Sequence, residues 1–367
     1  MKILHLDTRP DWRGGQHQIL MTLRGQHERG HDAQLLTRRS SRLAQRATSE
    51  KVTVHTFSPR FARLDAFLCL REAMRQQRFD VIHAHDPHAL SAAWLARAQA
   101  GSALLASRRV AYPLSRGWPG LARYRAADRI IAVSQFVAAS VLAAGIDANR
   151  VAVVYDGVEI PAATSAEGRA AARHRWNTPD ATPLLGCVGY LLPEKGQDVL
   201  LRAMKTIVTE FPASKLLLAG DGPMRARLES LAQELSLGDS VIFAGFVADT
   251  DAVYRALDLF VFPSLAEPLG SSLLAAMAHG LPAVAVASGG VREVIEDGRN
   301  GVLVPSSDAT AFANAVCTLW RDPQTAQRLS NAARETVAQR FTAALLAEKT
   351  LQEYERAIRS HCISDNL

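Results

Sequence analysis

The sequence has little cysteine and no long apolar run. Its four cysteines stand far apart, at Cys69, Cys187, Cys317 and Cys362, without a CxxC or Cys/His spacing. Scattered thiols of this kind predict neither a disulfide framework nor a zinc site. No segment reaches the roughly 18 apolar residues that a membrane-spanning helix requires, and the opening residues MKILHLDTRPDW lack the pattern of a signal peptide. We therefore expect a cytoplasmic protein that makes at most peripheral contact with the inner face of a membrane.

The charge balance favours partners that carry phosphate. The 367 residues include 42 Lys and Arg against 36 Asp and Glu, a net charge of +6, and 48% of them are hydrophobic. The hydrophobic content is that of a globular protein with enough chain for two cores. The positive charge suits nucleic acid, nucleotide-sugars or an anionic membrane surface. The sequence has no helix-turn-helix, zinc-knuckle or RNA-binding aromatic motif, which argues against nucleic acid.

Short apolar runs alternate with helical patterns along the whole chain. In the first half they lie at Lys2–Leu6, Ala33–Leu36, Val52–Thr56, Val81–His83, Ala103–Ala106, Ile130–Ala132 and Val151–Tyr155. In the second half they lie at Leu184–Val188, Lys215–Ala219, Val241–Phe243, Leu259–Val261, Ala283–Val286 and Gly301–Val304. Strands that alternate with helices, such as Gln18–Gly30 and Arg63–Gln77, predict doubly wound parallel sheets. Two successive Rossmann-like halves are the expected organisation.

A pause in this alternation predicts the boundary between the halves. Asp156-Gly157 and Pro161 are followed by an Ala- and Arg-rich polar stretch that runs to about Pro183. Such a stretch is typical of a linker. We therefore expect one domain over residues 1–165 and a second over 166–344. The apolar spacing from Ala343 predicts a long final helix, and we expect its residues 345–367 to pack back on the first domain.

Two loops after predicted strands contain glycine, and ligands bind at the carboxyl ends of such strands. Gly14 and Gly15 lie between the first strand and the first helix. Glycines let backbone approach a phosphate or a sugar closely, and the following helix N-terminus favours an anion. The segment Gly189–Gly196 contains Lys195, a cation that can neutralise a diphosphate leaving group. Each loop alone is also typical of a structural turn.

A third loop combines a carboxylate with a glycine-serine helix start. Phe262-Pro263 ends a predicted strand, Glu267 follows in the loop, and Gly270-Ser271-Ser272 begins the next helix. Free amides at that helix start would face a pyrophosphate with the help of the helix dipole. Glu267 is placed to hydrogen-bond sugar hydroxyls. The alternatives are that the serines cap the helix and that Glu267 is an ordinary loop residue.

The complete series of segments resembles one known family. In the first half the matching segments are Gly14-Gly15, Arg29-Gly30-His31, Asp80–His85, Ile131–Ser134 and Val154–Val158. In the second half they are Val188–Gly196, Ala219–Pro223, Phe243–Val247, Pro263–Glu267, Ala276–Val284 and Gly289–Glu293. Each segment is common in proteins. The whole series in this order, across most of the chain, resembles glycosyltransferase family 4, whose members are retaining enzymes of GT-B architecture.

The resemblance implies an α/β fold with two Rossmann-like, doubly wound parallel-sheet domains facing a central cleft. The first domain would receive the acceptor and the second the nucleotide-sugar. Lys195 would contact the donor diphosphate and Glu267 the transferred sugar, as the two catalytic residues. The other donor-binding residues that the resemblance implies are Gly14, Gly15, Tyr190, Val247, Leu269, Gly270, Ser271 and Ser272. No metal or other cofactor is expected, because basic groups and helix amides can stabilise the departing diphosphate.

Three places depart from the family pattern. Ala275 stands where the family usually has a second glutamate for the ribose hydroxyls, and Tyr190 where it often has an arginine. Arg108 and Arg109 stand where a cleft histidine often follows the strand. Two alternatives stay open. The chain is either a subfamily member with rearranged donor contacts or a weakened enzyme that serves as a partner subunit.

The expected acceptor side is basic and aromatic. The segment 108–125 interleaves arginines with tyrosine and with Trp118. This pattern suits contact with anionic lipid headgroups or with a lipid-linked or phosphorylated glycan, and a solvated Arg-rich loop is the alternative. We expect Arg108, Arg109 and His85 on this side, whereas His83 inside a strand is expected in the core.

The predicted reaction is retaining sugar transfer from a nucleotide-diphosphate sugar to a glycan, lipid-linked or other cell-envelope acceptor. Within the family, the resemblance is greatest to members that build bacterial surface polysaccharide or lipopolysaccharide. A nucleotide-sugar epimerase of similar architecture is the rival enzyme class, since it would need no acceptor. The sequence does not choose the nucleotide, the sugar or the linkage.

Overall fold

The chain forms two compact units. The structure, a computed structural model, describes residues 1–58, 62–98, 101–114, 117–306 and 308–364, with side chains at all of these except 62, 63 and 362–364. The first unit comprises Met1–Gly157 together with Ala343–Leu367, and the second comprises Val158–Thr342. Of the helices within the described ranges, none combines the length and apolar composition needed to cross a bilayer.

The first unit contains a seven-stranded parallel sheet. Its strands are β1 (Lys2–Leu6), β2 (Asp32–Arg38), β3 (Val54–Phe57), β4 (Val81–Ala84), β5 (Ala103–Arg108), β6 (Arg129–Ala132) and β7 (Val151–Val153). They lie in the order β3-β2-β1-β4-β5-β6-β7, so the order reverses between β1 and β4. The central strands are buried on both faces, because helices cover both sides of the sheet.

Six helices connect these strands. They are α1 (Gly14–His27), α2 (Arg42–Ser49), α3 (Ala62–Gln76), α4 (Pro87–Leu95), α5 (Gly120–Arg125) and α6 (Gln135–Leu142). One face of the sheet is not purely apolar. His5 of β1 is the register partner of His83 of β4, and both imidazoles are buried. Polar side chains therefore lie inside the core at the centre of this sheet.

The second unit repeats the arrangement with six parallel strands. They are β8 (Leu184–Val188), β9 (Lys215–Ala219), β10 (Val241–Gly245), β11 (Leu259–Phe262), β12 (Ala283–Val286) and β13 (Val302–Val304). The order is β10-β9-β8-β11-β12-β13, which reverses between β8 and β11. Its helices are α7 (Ala166–Arg175), α8 (Gln197–Glu210), α9 (Arg225–Glu234), α10 (Thr250–Ala256), α11 (Ser271–Ala278), α12 (Val291–Val294), α13 (Ala309–Arg321) and α14 (Pro323–Arg340).

The final helix, α15 (Ala343–Ser364), belongs to the first unit and packs on α1. Gly25 of α1 permits the close approach, since a Cβ atom there would lie 2.6 Å from the Cβ of Ala347. Leu346 and Tyr354 of α15 are buried in the same apolar cluster as Ile3 of β1. The helix therefore covers one face of the first sheet.

The structure differs from the sequence-based expectations at the boundary between the units. The first unit ends at Gly157 rather than at residue 165, and the chain returns to it at Ala343 rather than at residue 345. The expected linker contains α7, which Ser165 caps by accepting a hydrogen bond from the amide of Gly168. The stretch resembles a linker because its exposed face is polar, but the buried Arg173 ties it to the second unit through the Asp258 carboxylate at 2.6 Å. The expectation of an α/β protein with two parallel sheets is confirmed.

Candidate functional site

The loop after β8 places Lys195 at the carboxyl end of the second sheet. A single 3-10 turn, Pro193–Lys195, leads into α8, and Gly196 between them has a φ of +67°. A Cβ atom at Gly196 would lie 2.3 Å from the carbonyl oxygen of Pro263. Only glycine permits this approach without a shift of backbone. The loop after β8 is thereby held against the loop after β11.

The loop after β11 carries Glu267, which is 7% exposed. Its backbone oxygen accepts from the amide of Gly290 at 3.0 Å, and the hydroxyl of Ser288 donates to the carbonyl oxygen of Ser264 at 2.6 Å. Gly290 is also sterically required, because a Cβ atom there would lie 2.1 Å from the carbonyl oxygen of Pro268. The segment after β12 thus supports the loop that holds the carboxylate.

Lys195 and Glu267 form a direct ion pair. The lysine Nζ lies 2.6 Å from Oε2 of the carboxylate, and the hydroxyl of Ser264 donates to the same oxygen at 2.8 Å. The two residues are distant in sequence, but β8 and β11 are neighbours at the point where the strand order reverses. Ligands of open parallel sheets bind outside the carboxyl ends of the strands at this point. A partly exposed cation and a carboxylate are therefore held together where a ligand is expected.

The helix that follows Glu267 begins without a side-chain cap. Gly270, with a φ of +111°, is the N-cap of α11, and no side chain in the described part of the chain accepts from its first amides. Ser271 and Ser272 therefore do not act as the caps that the sequence left open as an alternative. Uncapped amides at a helix N-terminus attract an anion. Leu269, which precedes the N-cap, is buried and anchors the turn.

Two further residues expected near the donor, Tyr190 and Val247, lie on neighbouring loops of the second unit. Tyr190, after β8, is 41% exposed, and Phe246, after β10, is 48% exposed. Val247, which the family resemblance implies as a donor contact, is buried beside the exposed Phe246. Ala275 lies half-buried in α11, so no carboxylate stands at the position of the family's second glutamate. The side chain at this position therefore cannot make the contact with the ribose hydroxyls that the family's second glutamate makes.

In the first unit, the predicted residues lie at two different depths. Gly14 and Gly15 begin α1, Gly14 is exposed and Gly15 half-buried, and a Cβ atom at Gly15 would meet open space. Arg109 lies at the end of β5, where its Nε donates to Oδ1 of Asp156 at 2.9 Å. Arg108 is only 2% exposed, and it donates to the Tyr112 carbonyl oxygen from inside the loop. Arg109 is therefore the more accessible of the two arginines.

His85 belongs to a histidine cluster that the sequence did not reveal. His83 is buried, as expected. His5 lies 78 positions earlier, within β1, and no sequence pattern relates it to the other two histidines. Among the described residues, these three form the group whose ligand atoms could hold a metal ion, within 4.8 Å of one another. Arg109 lies 3.2 Å from Nδ1 of His85. This nearby guanidinium disfavours a further cation.

Burial keeps the three imidazoles neutral. It lowers the pKa of His5 to about 4, and the positive charge of Arg109 acts in the same direction. Burial likewise lowers the pKa values of His83 and His85 well below 6.5, and the neighbouring histidines and Arg109 add to this effect. At neutral pH each ring therefore has one donor and one acceptor nitrogen.

A pair of aspartates lies beside the histidines. Asp86 accepts from the amide of Thr8 at 2.6 Å and from its hydroxyl at 2.8 Å, and it caps α4. Burial raises the pKa of Asp7 to about 8, and the nearby charge of Asp86 contributes. Asp7 is therefore largely protonated at neutral pH. Asp86 directly before Pro87 has the sequence pattern of a helix N-cap, whereas nothing in the sequence indicated the raised pKa of Asp7.

Comparisons with known protein families agree with this geometry. The family described as "Glycosyl transferases group 1" matches residues 168–336, and "Glycosyltransferase Family 4" matches residues 12–160. A D-inositol 3-phosphate glycosyltransferase of Catenulispora acidiphila is 33% identical over 316 residues, which is 78% of this chain and 73% of that protein.

This chain belongs to glycosyltransferase family 4. The lipopolysaccharide core biosynthesis glycosyltransferase LpsE of Rhizobium meliloti is 34% identical over 180 residues, 49% of this chain and 52% of LpsE. The match therefore spans about half the length of that relative. Among solved structures, Anabaena HepE in complex with UDP-glucose has a TM-score of 0.86 at 24% identity, covering 97% of this chain and 100% of HepE. The family and the GT-B fold that the motif series implied are confirmed.

Proposed function

We propose that this family 4 member is a retaining glycosyltransferase that needs no metal. It moves a sugar from a nucleoside-diphosphate sugar to a glycan, lipid-linked or other cell-envelope acceptor on the cytoplasmic side of a membrane. Relatives across the family are named as glycosyltransferases, and HepE was solved with UDP-glucose. The observation that carries the proposal is the Lys195–Glu267 ion pair beside the uncapped start of α11.

The pair and the helix start supply the two kinds of contact that a sugar nucleotide needs. A departing diphosphate gains negative charge, and the Lys195 ammonium and the first amides of α11 stabilise that charge without a cofactor. The Glu267 carboxylate has lone pairs for the hydroxyls of the transferred sugar. Lys195 would then exchange part of its contact with Glu267 for the phosphate, while Ser264 continues to orient the carboxylate.

Retention follows from acceptor attack on the face from which the diphosphate leaves. In this proposal the leaving phosphate oxygen takes the acceptor proton while the new glycosidic bond forms. The protein's part is to hold the diphosphate and the sugar in place and to stabilise the developing charge. Tyr190 cannot supply the positive charge of the arginine that often stands there, so Lys195 and the α11 amides carry this stabilisation.

The acceptor side is assigned to Arg109 and His85 of the first unit, with Arg108 behind them. Tyr112 is 60% exposed and Trp118 is 82% exposed in the basic segment 108–125. Arginines and exposed aromatic rings suit an anionic, lipid-linked or phosphorylated acceptor at a membrane surface. The names of LpsE and of the inositol-phosphate enzymes point to the same kinds of acceptor.

A weakened partner subunit is the second candidate function. The observation that favours it is the loss of two donor contacts at once, at Ala275 and Tyr190. Such a subunit would keep the fold and a residual affinity for nucleotide but would not turn over. An epimerase would instead convert the donor sugar in the absence of any acceptor.

The first experiment is a thermal-shift screen against UDP, GDP, ADP, CMP and dTDP and their sugars. Ligand at 100 times its dissociation constant adds about 2.7 kcal/mol of stability, which raises Tm by roughly a few degrees for a protein of this size. We expect one nucleotide class to give the shift and Lys195→Ala to diminish it. The matched control is Lys205→Ala, which removes an exposed lysine of α8.

Product analysis then separates the candidate reactions. Proton NMR of the product formed with a membrane or glycan extract is expected to show the anomeric configuration of the donor, with the same rate in EDTA. An inverted product would refute retention, and a rate abolished by EDTA would refute metal independence. Interconversion of the donor sugar without acceptor would identify an epimerase. Nucleotide binding without product would favour the partner subunit.

A further inference from the structure

A polar hydrogen-bonded network lies inside the core of the first unit, between the sheet and two helices. His5 and His83 face each other on β1 and β4, and His85 lies two residues beyond His83, on the same face. Gln26 of α1 and Tyr354 of α15 cover them and are fully buried. Buried polar groups at this density require partners, because an unmatched donor or acceptor is costly.

The first part of the network starts at Arg109. Its Nη1 lies 3.2 Å from Nδ1 of His85. The other ring nitrogen of His85, Nε2, lies 2.8 Å from Nδ1 of His5. The Nε2 of His5 lies 2.8 Å from the side-chain oxygen of Gln26. Both nitrogens of each ring are therefore engaged.

The second part continues from Gln26 to β5. The amide nitrogen of Gln26 lies 3.4 Å from the hydroxyl of Tyr354, and that hydroxyl lies 2.6 Å from Nδ1 of His83. The Nε2 of His83 lies 2.8 Å from the hydroxyl of Ser107. The chain thus begins at Arg109 and ends at Ser107, two residues earlier, after passing through α1 and α15.

Only one direction satisfies every donor in this hydrogen-bond chain. A guanidinium donates and never accepts, so Nδ1 of His85 must be the acceptor and its proton must be on Nε2. The Nε2–H of His85 then donates to Nδ1 of His5, and the Nε2–H of His5 donates to the Gln26 oxygen. The Gln26 amide donates to Tyr354, whose hydroxyl donates to His83. His83 in turn donates to the Ser107 oxygen, so that every link agrees with neutral rings.

The geometry points to a positioning role for two remote residues. We propose that Gln26 and Tyr354 hold His85 in the tautomer whose Nδ1 accepts from Arg109, and thereby fix the Arg109 guanidinium at the carboxyl end of β5. Asp156 holds the same guanidinium from its other side at 2.9 Å. Only the assignment of Arg109 to the acceptor side rests on the proposed function. The hydrogen-bond chain itself does not.

The alternative use of the three histidines is a metal site. A metal ion would need a lone pair from each ring, and the donors of the chain already occupy the lone pairs of all three Nδ1 atoms. A histidine that binds a metal also donates its other ring N–H to a carboxylate, a carbonyl oxygen or a water molecule. Here the neighbour of His85 is a cation. The hydrogen-bond chain therefore accounts for more of the contacts than a metal ion does.

The first test is the protonation of the histidines in the wild-type protein. Long-range proton–nitrogen NMR spectra of the full chain distinguish the two neutral tautomers of each ring. We expect His5, His83 and His85 to carry the proton on Nε2 and to stay neutral at a pH below the ordinary histidine pKa of 6.5, with Nε2–H signals protected from exchange with water. The proposal would be overturned if the proton of His85 were on Nδ1. It would also be overturned if added Zn²⁺ shifted the nitrogen signals of all three rings.

The second test breaks the chain at successive links. Gln26→Leu removes the acceptor of the His5 Nε2–H, so that only the Arg109 contact still favours the Nε2–H tautomer of His85. Tyr354→Phe removes the hydroxyl that anchors Gln26. Ser107→Ala removes only the last acceptor. Tyr254→Phe is the matched control, because it deletes a hydroxyl from a buried tyrosine of the second unit.

We expect the effect on His85 and Arg109 to decrease as the substituted residue lies farther from them along the hydrogen-bond chain. The His85 nitrogen shifts should move towards a tautomer mixture in Gln26→Leu, and exchange of the Arg109 Nε–H with water should become at least about tenfold faster. Tyr354→Phe should give the same changes to a smaller extent, and Ser107→Ala and Tyr254→Phe should give none. If Gln26→Leu and Tyr354→Phe lower Tm but leave the His85 and Arg109 signals unchanged, the two residues are merely structural. These readouts need no substrate, so failure of the proposed function would leave them unaffected.

Discussion

Two helices in corresponding places of the two sheets begin in opposite ways. α4 follows β4 and α11 follows β11. In the two sheets, β4 is the neighbour of β1 and β11 is the neighbour of β8. The Asp86 carboxylate accepts from the first amides of α4, whereas α11 begins at Gly270 and takes no cap from any side chain within the described ranges. An anion already occupies the first helix terminus, and the second is open to the phosphate of a ligand. The repeated topology therefore does not repeat the chemistry.

The charged groups beside these helices differ in the same sense. In the second unit a lysine and a carboxylate meet at 2.6 Å, and the lysine side chain is 25% exposed. In the first unit the corresponding strands, β1 and β4, carry His5 and His83, which are neutral and buried. Charge that a ligand can reach is suited to binding phosphate, whereas neutral buried groups are suited to fixing geometry. Substitutions in either unit therefore test this contrast.

The largest expected effect is the loss of turnover in Glu267→Gln. The amide keeps the size of the side chain but loses the charge that pairs with Lys195 and accepts from sugar hydroxyls. We expect kcat/KM for the sugar nucleotide that gives the thermal shift to fall roughly 100- to 1,000-fold, about 3–4 kcal/mol of transition-state stabilisation. Steady-state kinetics measure this, and Glu234→Gln on the exposed face of α9 is the control. If kcat/KM were the same in both variants, Glu267 would not take part in the reaction.

The next largest effect is on nucleotide affinity in Lys195→Ala. A hydrogen bond to a charged group contributes about 1.5–3 kcal/mol, which corresponds to a Kd for the nucleoside diphosphate roughly 10- to 100-fold higher. Isothermal titration calorimetry compares this variant with Lys205→Ala, which should bind like wild type. Lys195→Arg is expected to recover part of the affinity, because it retains the charge. An unchanged Kd in Lys195→Ala would place the diphosphate elsewhere.

Local patterns predicted the strands well, because buried parallel strands are continuous apolar runs. The runs at β1, β8, β9 and β12 coincide with the strands residue for residue. The local patterns also placed Lys195 and Glu267 in loops at the carboxyl ends of strands. Local patterns could not show that the two side chains touch, because that contact depends on β8 and β11 becoming neighbours in the sheet.

The histidine chain was beyond sequence reasoning for a related reason. Its seven side chains come from three strands, the loops after two of them and two helices, and the spacing of a strand relates only His83 to His85 and Ser107 to Arg109. A histidine inside an apolar run predicts burial but not its partner. The structure supplies the partner through the register of β1 with β4 and the packing of α15 on α1.

Asp7 gives the first unit an unusual dependence of stability on pH. Its pKa is raised from 3.8 to about 8 in the folded state, so its contribution to stability is fully present below pH 3.8 and is lost as the pH rises through 8. Asp7→Asn does not titrate. As the pH rises, we expect the unfolding free energy of the variant to increase relative to that of wild type, with a maximum slope of about 1.4 kcal/mol per pH unit. Urea melts from pH 5 to 8 measure it, with the exposed Asp239→Asn as control. Parallel curves for variant and wild type would contradict the shift.

His5 acts with the opposite sign and over a narrower range. Its folded pKa of about 4 lies below the ordinary value of 6.5, so its contribution to stability is present above pH 6.5 and is lost as the pH falls towards 4. In the Asp7→Asn background this loss is no longer offset by Asp7. We expect urea melts of that variant to show the unfolding free energy falling by at least about 1 kcal/mol per pH unit below pH 6. A flat profile between pH 6 and 4.5 would mean that the rings are protonated in the fold.

The smallest effect separates capped from uncapped helices directly. Ser41 is the N-cap of α2 and accepts from the amide of Ala44 at 3.0 Å, whereas Ser271 follows the N-cap of α11. Ser41→Ala should therefore cost about 1 kcal/mol of stability, and Ser271→Ala should stay within about 0.5 kcal/mol. Urea melts of the two variants give the comparison without any ligand. If Ser271→Ala costs as much as Ser41→Ala, its hydroxyl stabilises α11, and the start of that helix is less open to a phosphate than the contrast between the two units requires.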